Sequence, residues 1–288
     1  MPRWCWWEKA TGDDEHQIRE LLRAIWDLHA MYGTEAPWLW RGQANAEFGV
    51  EPGVHTRVRS RGNLDDANVK AVTAELIASA RTALLDVHEG ARLPDMALLA
   101  LLQHHGAATP LLDVSLDPIV GLYMAVVSPA SADDEKDGAL FAIKKPASSI
   151  GAFDSRTFGV IYDALPPAAV AFYSAPDVSE RLRIQRGHFV VGEVSAADER
   201  ISVPLSAEAI DADPSWIRAR MTARGEAGAP PAARTDVTVF RVKAKFKGAI
   251  KEWLEARSGL TRDFVYPTPW HRPHLDRFAT SHGRRPGF

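Results

Sequence analysis

Two short stretches carry side chains that chemistry can use. The first is Trp38-Leu39-Trp40-Arg41-Gly42-Gln43. An Arg at the end of an aromatic strand, followed by Gly, presents a planar guanidinium fork at a bare backbone turn. That fork suits a bidentate contact to phosphate or carboxylate, and an internal carboxylate partner is the alternative. The second stretch runs from Gln103 to Pro118 as Gln-His-His-Gly-Ala-Ala-Thr-Pro-Leu-Leu-Asp-Val-Ser-Leu-Asp-Pro. Its polar residues interrupt an apolar run, and buried polar groups need partners. Gln103 and His104 close a helix, and Thr109 and Asp113 lie in the next turn. A purely structural bracket, in which Asp113 orients His104 or caps a turn, accounts equally well for Gln103 and Asp113. His104 is harder to explain that way, because a histidine must choose a tautomer and often meets a ligand.

Other chemistries are missing from the sequence. There is no G-x-x-x-x-G-K-[ST] phosphate loop. No G-x-G-x-x-G follows a strand, so the dinucleotide fingerprint of a Rossmann unit is absent. No G-x-S-x-G marks a serine-hydrolase elbow, and His-Glu-x-x-His does not occur. His271 and His274 are close, but Pro273 between them breaks helical spacing and nothing supplies further zinc ligands. No metal is expected.

The elements around these stretches follow from periodicity. Asp13 or Asp14 caps a helix to about Met31, with Ile18, Leu21, Leu22, Ile25 and Trp26 on one face. Pro37 to Gly42 reads as an aromatic strand ending in a turn. Phe48 to Gly62, with Pro52, Arg57, Arg59 and Arg61, reads as an irregular basic loop. A second helix runs from Asp65 to about His88. Asp95 caps a third, Met96–His105, which is apolar on nearly all sides and therefore central. Gly106 ends it. Asp117-Pro118 starts a fourth, with Asp at the N-cap and Pro at N1. Strands are expected at Ala139–Ile143, Val160–Tyr162, His188–Val194, Ile201–Val203 and Val237–Val242. Glu226–Arg234 is a flexible connector. A last helix, Lys247–Arg257, precedes a tail rich in Arg, His and Pro. Helices first and strands later predict an α+β fold, with helices packed on a mixed or antiparallel sheet.

Composition bounds the function. The chain has 288 residues, 46% hydrophobic and 25% charged, with a net charge of −3. Those fractions exclude disorder across most of the chain. The charge argues against bulk nonspecific nucleic-acid binding, leaving room for a local basic groove. The single Cys, Cys5, excludes an internal disulfide framework. No apolar run reaches the roughly 18 residues of a spanning helix, and the N-terminus lacks a secretory pattern. A cytoplasmic protein without membrane contact is expected. Trp4, Trp6, Trp7 and Trp26 crowd the N-terminus, where core or interface anchoring is the ordinary role of Trp.

The two chemical stretches, in this order and spacing, resemble the FRG domain family. That family shows an aromatic-Arg-Gly strand, then a helix ending in Gln-His-aromatic-Gly. Thr-x-Leu-Leu-Asp-x-[Thr/Ser] and Asn/Asp-Pro-x-x-Ala-x-x-x-Ala follow. The matches here are Trp40-Arg41-Gly42, Gln103-His104-x-Gly106, Thr109 to Ser115, and Asp117-Pro118 through Ala125. Arg181-x-x-x-Gln185-x-Gly187-x-Phe189 matches a later strand of the family. The resemblance spans Trp38 to Val190. It implies a helical segment at 1–36, an FRG core at 37–204, and a strand/helix extension with basic tail at 205–288. The chain departs from the pattern at His105, Pro110, Val114 and Gly121. Val114 replaces a large Trp anchor, and Pro110 removes a charge that suited an anion.

FRG proteins are mostly bacterial and phage proteins, some tied to toxin and anti-phage systems. Their motif order is similar to that of NAD-dependent ADP-ribosyltransferases. The resemblance therefore implies an ADP-ribosyltransferase-like fold and NAD as substrate. It places Arg41 at the NAD diphosphate and counts Gly42, Gln43 and Gln103 among the cofactor-binding residues. Thr109 or Ser115 lies on the middle strand, and Tyr123 stacks near nicotinamide. His104, Asp113 and Gln185 become the catalytic candidates. Gln185 orients a hydroxyl but cannot offset positive charge, so a carboxylate must come from Asp113, Glu180 or Glu193. Asp113 is chosen because it lies inside the motif. The implied partners are NAD or another nucleotide, a nucleic-acid or protein acceptor, and an antitoxin. Arg57, Arg59 and Arg61 with Arg262, Arg272, Arg277, Arg284 and Arg285 form a possible nucleic-acid path. Two alternatives use the same residues: a non-catalytic nucleotide- or nucleic-acid-binding module, and a metal-independent nuclease with His104 or His105 as base.

Overall fold

The computed structural model describes residues 14–30, 38–129, 133–195, 201–205, 237–267 and 273–283. In chain order the elements are α1 (Asp14–Ala30), β1 (Trp38–Gln43), α2 (Gly53–Arg59), α3 (Asp66–Thr82), β2 (Val87–His88), β3 (Ala91–Arg92) and α4 (Asp95–His104). They continue as β4 (Leu112–Ser115), α5 (Pro118–Val126), β5 (Gly138–Lys144), β6 (Ser149–Ile150), α6 (Phe158–Asp163), β7 (Val170–Tyr173) and α7 (Glu180–Ile184). The last are β8 (Gly187–Gly192), β9 (Val237–Val242), α8 (Ala244–Ser258), α9 (Arg262–Val265) and α10 (Pro273–Ser281). The fold is α+β. β6 and β7 run parallel, whereas β1–β4, β1–β5, β5–β9 and β7–β8 are antiparallel, so the strand pairing is mixed.

The chain forms two compact units, each built from separate segments. The first takes in Met1–Phe48, Val114–Lys145 and Leu205–Val265. Its centre is β5, paired with β1 from Trp38 opposite Lys144 to Gln43 opposite Ala139, and with β9 on its other edge. Trp38, Leu39, Trp40, Phe141 and Phe240 are all buried there. Trp40 stacks on Phe240 at 6.5 Å between centroids, so the strand aromatics are core anchors. α5 lies very close to this sheet. A Cβ on Gly42 would sit 2.0 Å from the Gly121 carbonyl oxygen, and one on Gly138 would sit 2.0 Å from that of Ala125. Asp137 ties the start of α8, accepting from the Ala244 N–H at 2.8 Å and from Arg241 Nε at 2.6 Å. Lys247 is buried, and its ammonium donates to the carbonyls of Ala44 (2.6 Å) and Asp133 (2.9 Å).

The second unit takes in Gly49–Asp113, Pro146–Pro204 and Tyr266–Phe288. α4 is its hub. Every residue from Asp95 to Leu102 is buried, as an all-round apolar helix requires. Val54, Leu76, Phe158, Tyr162, Phe189 and Leu275 belong to the same core. Asp65 caps α3, accepting from the Asn68 N–H at 2.7 Å.

Several sequence expectations are corrected. Phe48–Gly62 is not a loop, because α2 occupies its middle. Pro52 stands at the N-cap position, and Val54 and Val58, one turn apart, bury toward the core. The second helix stops at Thr82 rather than His88. Leu84 adopts φ 54°, and Glu89-Gly90 with φ 50° and 82° close a β2–β3 hairpin, as a turn with two left-handed residues does. Val160–Tyr162 is helical, because Phe158, Ile161 and Tyr162 bury at i, i+3, i+4. Asp95 does not cap α4. Its carboxylate takes the Phe158 N–H at 2.8 Å and Arg81 at 2.5 Å, so it serves the start of α6. Ile201–Val203 makes a single bridge to Val50. The tail includes α10, whose Leu275 and Ala279 are buried. The Glu226–Arg234 connector, Trp4, Trp6, Trp7, His271, Arg272, Arg284 and Arg285 lie outside the described residues.

Candidate functional site

In the first unit, Arg41 lies on β1 opposite Phe141 and is half-buried. Gly42 is not at a bare turn, since β1 continues through Gln43 and the missing side chain makes room for α5. Gln43 is buried opposite Ala139. Ser115 pairs with Trp40 across β4–β1, and its hydroxyl accepts from the Asp117 N–H at 3.0 Å. Asp117 in turn caps α5 through the Ile119 N–H at 2.9 Å. Tyr123 is fully buried, and its hydroxyl donates to Glu255 at 3.2 Å. No face of that ring is open in this structure.

The second unit joins three of the predicted residues. The Gln103 side-chain amide donates to Asp113 Oδ1 at 2.6 Å, and the Thr109 hydroxyl donates to Gln103 Oε1. Thr109 Oγ1 also accepts from the Leu111 N–H at 3.3 Å. The last turn of α4, the connecting turn and the first half of β4 are thus one hydrogen-bonded bracket. Gly106, at φ 101°, permits the tight exit from α4. An ionised Asp113 can only accept, so the amide NH2 faces it and the amide oxygen takes the Thr109 hydroxyl. Gln103 thus bonds Thr109, six residues later, and Asp113, ten residues later.

His104 adjoins the bracket. It is buried, its ring lies 6.0 Å from that of Phe189, and its Nε2 has no hydrogen-bond partner among the described residues. Burial pushes its pKa down to about 4, with the Asp113 charge opposing and Arg181 and His105 adding to the fall. The imidazole is neutral at physiological pH. Such a nitrogen can bond a water or a polar group of a ligand. His105 is spent elsewhere, since its Nδ1 contacts Asp276 of α10 at 2.6 Å.

The Arg181–Phe189 motif acquires a geometry here. Arg181 lies on α7. Gln185 is its C-cap and is buried. Arg186 turns the chain at φ 45°, and Gly187 opens β8. A Cβ on Gly187 would sit 2.8 Å from Leu182 Cδ1. The helix-to-strand reversal is therefore tight, and Phe189 emerges against His104. The Arg181 guanidinium lies over the Tyr266 ring at 5.5 Å, with its buried Nε lacking a partner. Sequence reasoning did not single out Arg181 as a ligand contact, although the motif contained it. Tyr266, in the presumed tail, had no signal. Glu180 is exposed on the first turn of α7, and Glu193 follows the end of β8.

Among the described residues no group of three His, Cys, Asp or Glu side chains is arranged to hold a metal ion, and no helix is long and apolar enough to cross a membrane. The family model of the FRG domain matches residues 36–134. That stretch contains β1, the bracket and α5, so the similarity to the FRG domain covers residues 36–134. The Arg181–Phe189 motif lies beyond the matched residues. No curated protein and no solved structure matches the chain.

Proposed function

We propose that the chain is a cytoplasmic effector of the FRG family, of the toxin or anti-phage defence type, that transfers ADP-ribose from NAD to a nucleic acid or protein. The observation that carries this reading is the bracket, a carboxylate whose orientation is set by an amide that is itself fixed by a hydroxyl. In the proposed reaction the bond from ribose C1′ to nicotinamide breaks, and its electron pair leaves with neutral nicotinamide. The acceptor's oxygen or nitrogen bonds to C1′ and gives up a proton to solvent. Positive charge develops on the ribose meanwhile. A preoriented carboxylate opposes that charge and accepts a ribose hydroxyl; such groups contribute about 3–4 kcal/mol each. Asp113 has this role, with Gln103 and Thr109 positioning it. His104 is too weak a base at a pKa of about 4 to take the proton, so it orients a ligand hydroxyl instead. Arg41 is assigned to the diphosphate by the family resemblance, and Gln185 to hydroxyl orientation.

The test is incubation of the purified chain with labelled NAD and a cell extract. Label transfer with nicotinamide release, lost in Asp113→Asn and Arg41→Ala, supports the reading. Absence of both signals from the folded wild type refutes it. One observation favours a second reading. Gln185, which the resemblance set on the late strand where the transferases hold Glu, instead caps α7 just before β8 and is an uncharged amide. A binding module without turnover then uses the same residues. Saturable nucleotide binding with no nicotinamide release selects it.

A further inference from the structure

We infer that Arg181 and His104 form a phosphate site in the second unit, which holds the phosphorylated ribose of a nucleotide. The site deepens the reading above by naming the part of the ligand that this unit takes. It does not require transfer, because it stands on groups that need an acceptor whatever follows. Three observations carry it. The Arg181 Nε is buried and unpartnered among the described residues. The guanidinium lies over the Tyr266 ring at 5.5 Å, a cation–π contact that restrains it. His104, buried and tilted against Phe189 at 6.0 Å, has an unpartnered Nε2.

Two nitrogens of this kind, one on Arg181, eight residues before Phe189, and one on His104, whose ring packs against Phe189, ask for oxygen acceptors. Arg181 is close enough to His104 for its charge to disfavour protonation of the ring. A phosphate oxygen satisfies Nε–H of Arg181 with a charge-assisted bond, the strong kind. A second oxygen selects the His104 tautomer with hydrogen on Nε2. Asp113 acts on the same ring with opposite sign. A bare anion is disfavoured near that carboxylate, whereas a sugar phosphate offers it hydroxyl donors. The two charges therefore select a ligand with an anion at one end and hydroxyls at the other.

The experiment is calorimetric titration of the full chain with ribose 5-phosphate and with ribose at constant ionic strength. Wild type is expected to prefer the phosphorylated sugar by about tenfold or more, the scale of one charge-assisted hydrogen bond. Arg181→Gln should erase the preference, and Arg181→Lys should restore part of it. Equal affinities in wild type, or a preference that survives Arg181→Gln, overturns the inference. If Arg181→Gln does not fold, the Arg181 Nε–H resonance of wild type decides. A saturable shift on adding ribose 5-phosphate supports the site, and no shift overturns it. Preference lost in Arg181→Gln together with no nicotinamide release supports the site and refutes transfer. Transfer by a wild type without the preference overturns the site alone.

Discussion

Acidification should destabilise the second unit through two imidazoles. His55 and His104 are both buried, and burial is the main cause that pushes each from 6.5 down to about 4. At His55, Glu51 and Asp66 oppose the fall and Arg59 adds to it. Unfolding returns both rings to water and to 6.5. Between pH 6.5 and about 4 the unfolded chain therefore binds more protons than the folded one, and stability rises with pH. The contribution is complete above pH 6.5 and disappears as pH falls through 4. Each pH unit is worth about 1.4 kcal/mol per proton, so each ring accounts for ~3 kcal/mol across the window. Asp134, Asp137 and Asp154 sit below the usual carboxylate value of 3.8. Their contributions are present above that pH and lost beneath it, so they do not contaminate the window.

The assay must report the right unit. Eight of the nine Trp fall in the segments of the first unit and Trp270 in the second, so Trp fluorescence follows mainly the first. Amide hydrogen exchange of α4 follows the second. Its opening free energy should rise by up to ~2.7 kcal/mol per pH unit between pH 4.5 and 6, for two protons. His104→Gln should reduce the slope to about half, and His55→Gln should do the same. Superimposable slopes in wild type and His104→Gln would refute the buried neutral imidazole, and with it the idea of a ring nitrogen waiting for a ligand.

Three further outcomes follow from contacts already described. Gly42→Ala forces a Cβ to 2.0 Å from the Gly121 carbonyl oxygen and 2.6 Å from the Ala125 nitrogen; it should cost about 3 kcal/mol or more, and an unchanged Trp-fluorescence unfolding midpoint would contradict the packing. Asp117→Ala removes the cap on the Ile119 N–H and should cost about 1 kcal/mol in the same assay, with no loss counting against the cap. Arg57, buried, donates to the Gly283 carbonyl at 2.7 Å and to that of Ser281 at 3.5 Å. Arg57→Met leaves those carbonyls without their donor, at about 1–3 kcal/mol, and should speed amide exchange in α10; unchanged protection there would show that Arg57 does not hold the helix.

What the sequence made legible was set by how local each cause is. α1 and α5 announce themselves through cap candidates and apolar spacing within a dozen residues, and Asp117-Pro118 does so within two. β1, β5 and β9 show β-branched and aromatic runs. The errors have distant causes. Val160-Ile161-Tyr162 has strand propensity, yet it forms α6 because Asp95, 63 residues earlier, satisfies the Phe158 N–H. α2 hides among Pro, Gly and Arg because its basic Arg57 is buried against the carbonyls that end α10, 224 and 226 residues later. The bracket was half legible. The polar interruption at Gln103, Thr109 and Asp113 was visible, but the direction of the amide follows from its packing against the acceptor-only Asp113 carboxylate.

The motif glycines separate fold from chemistry. Gly42 follows the candidate Arg41, and a glycine there invites a reading as space for a ligand. The atoms that fill that space belong to α5: the Gly121 carbonyl oxygen, the Ala125 nitrogen and the Met124 carbonyl carbon. Gly121 answers from the helix side, since a Cβ there would lie 2.9 Å from Trp40 Cβ. Gly121 stands where the family has Ala, and the smaller residue accommodates Trp40 at that contact. Gly187 has the same logic in the second unit, where its missing Cβ lets β8 turn back beneath Leu182. In each case the glycine explains packing, and the polar neighbour is what remains for function. At β1 that neighbour is Arg41. At the α7–β8 reversal it is Arg181, whose Nε the packing leaves without an acceptor. These glycines constrain the backbone that delivers each guanidinium, and at Arg181 the ligand is to be sought at the Nε that the fold has not satisfied.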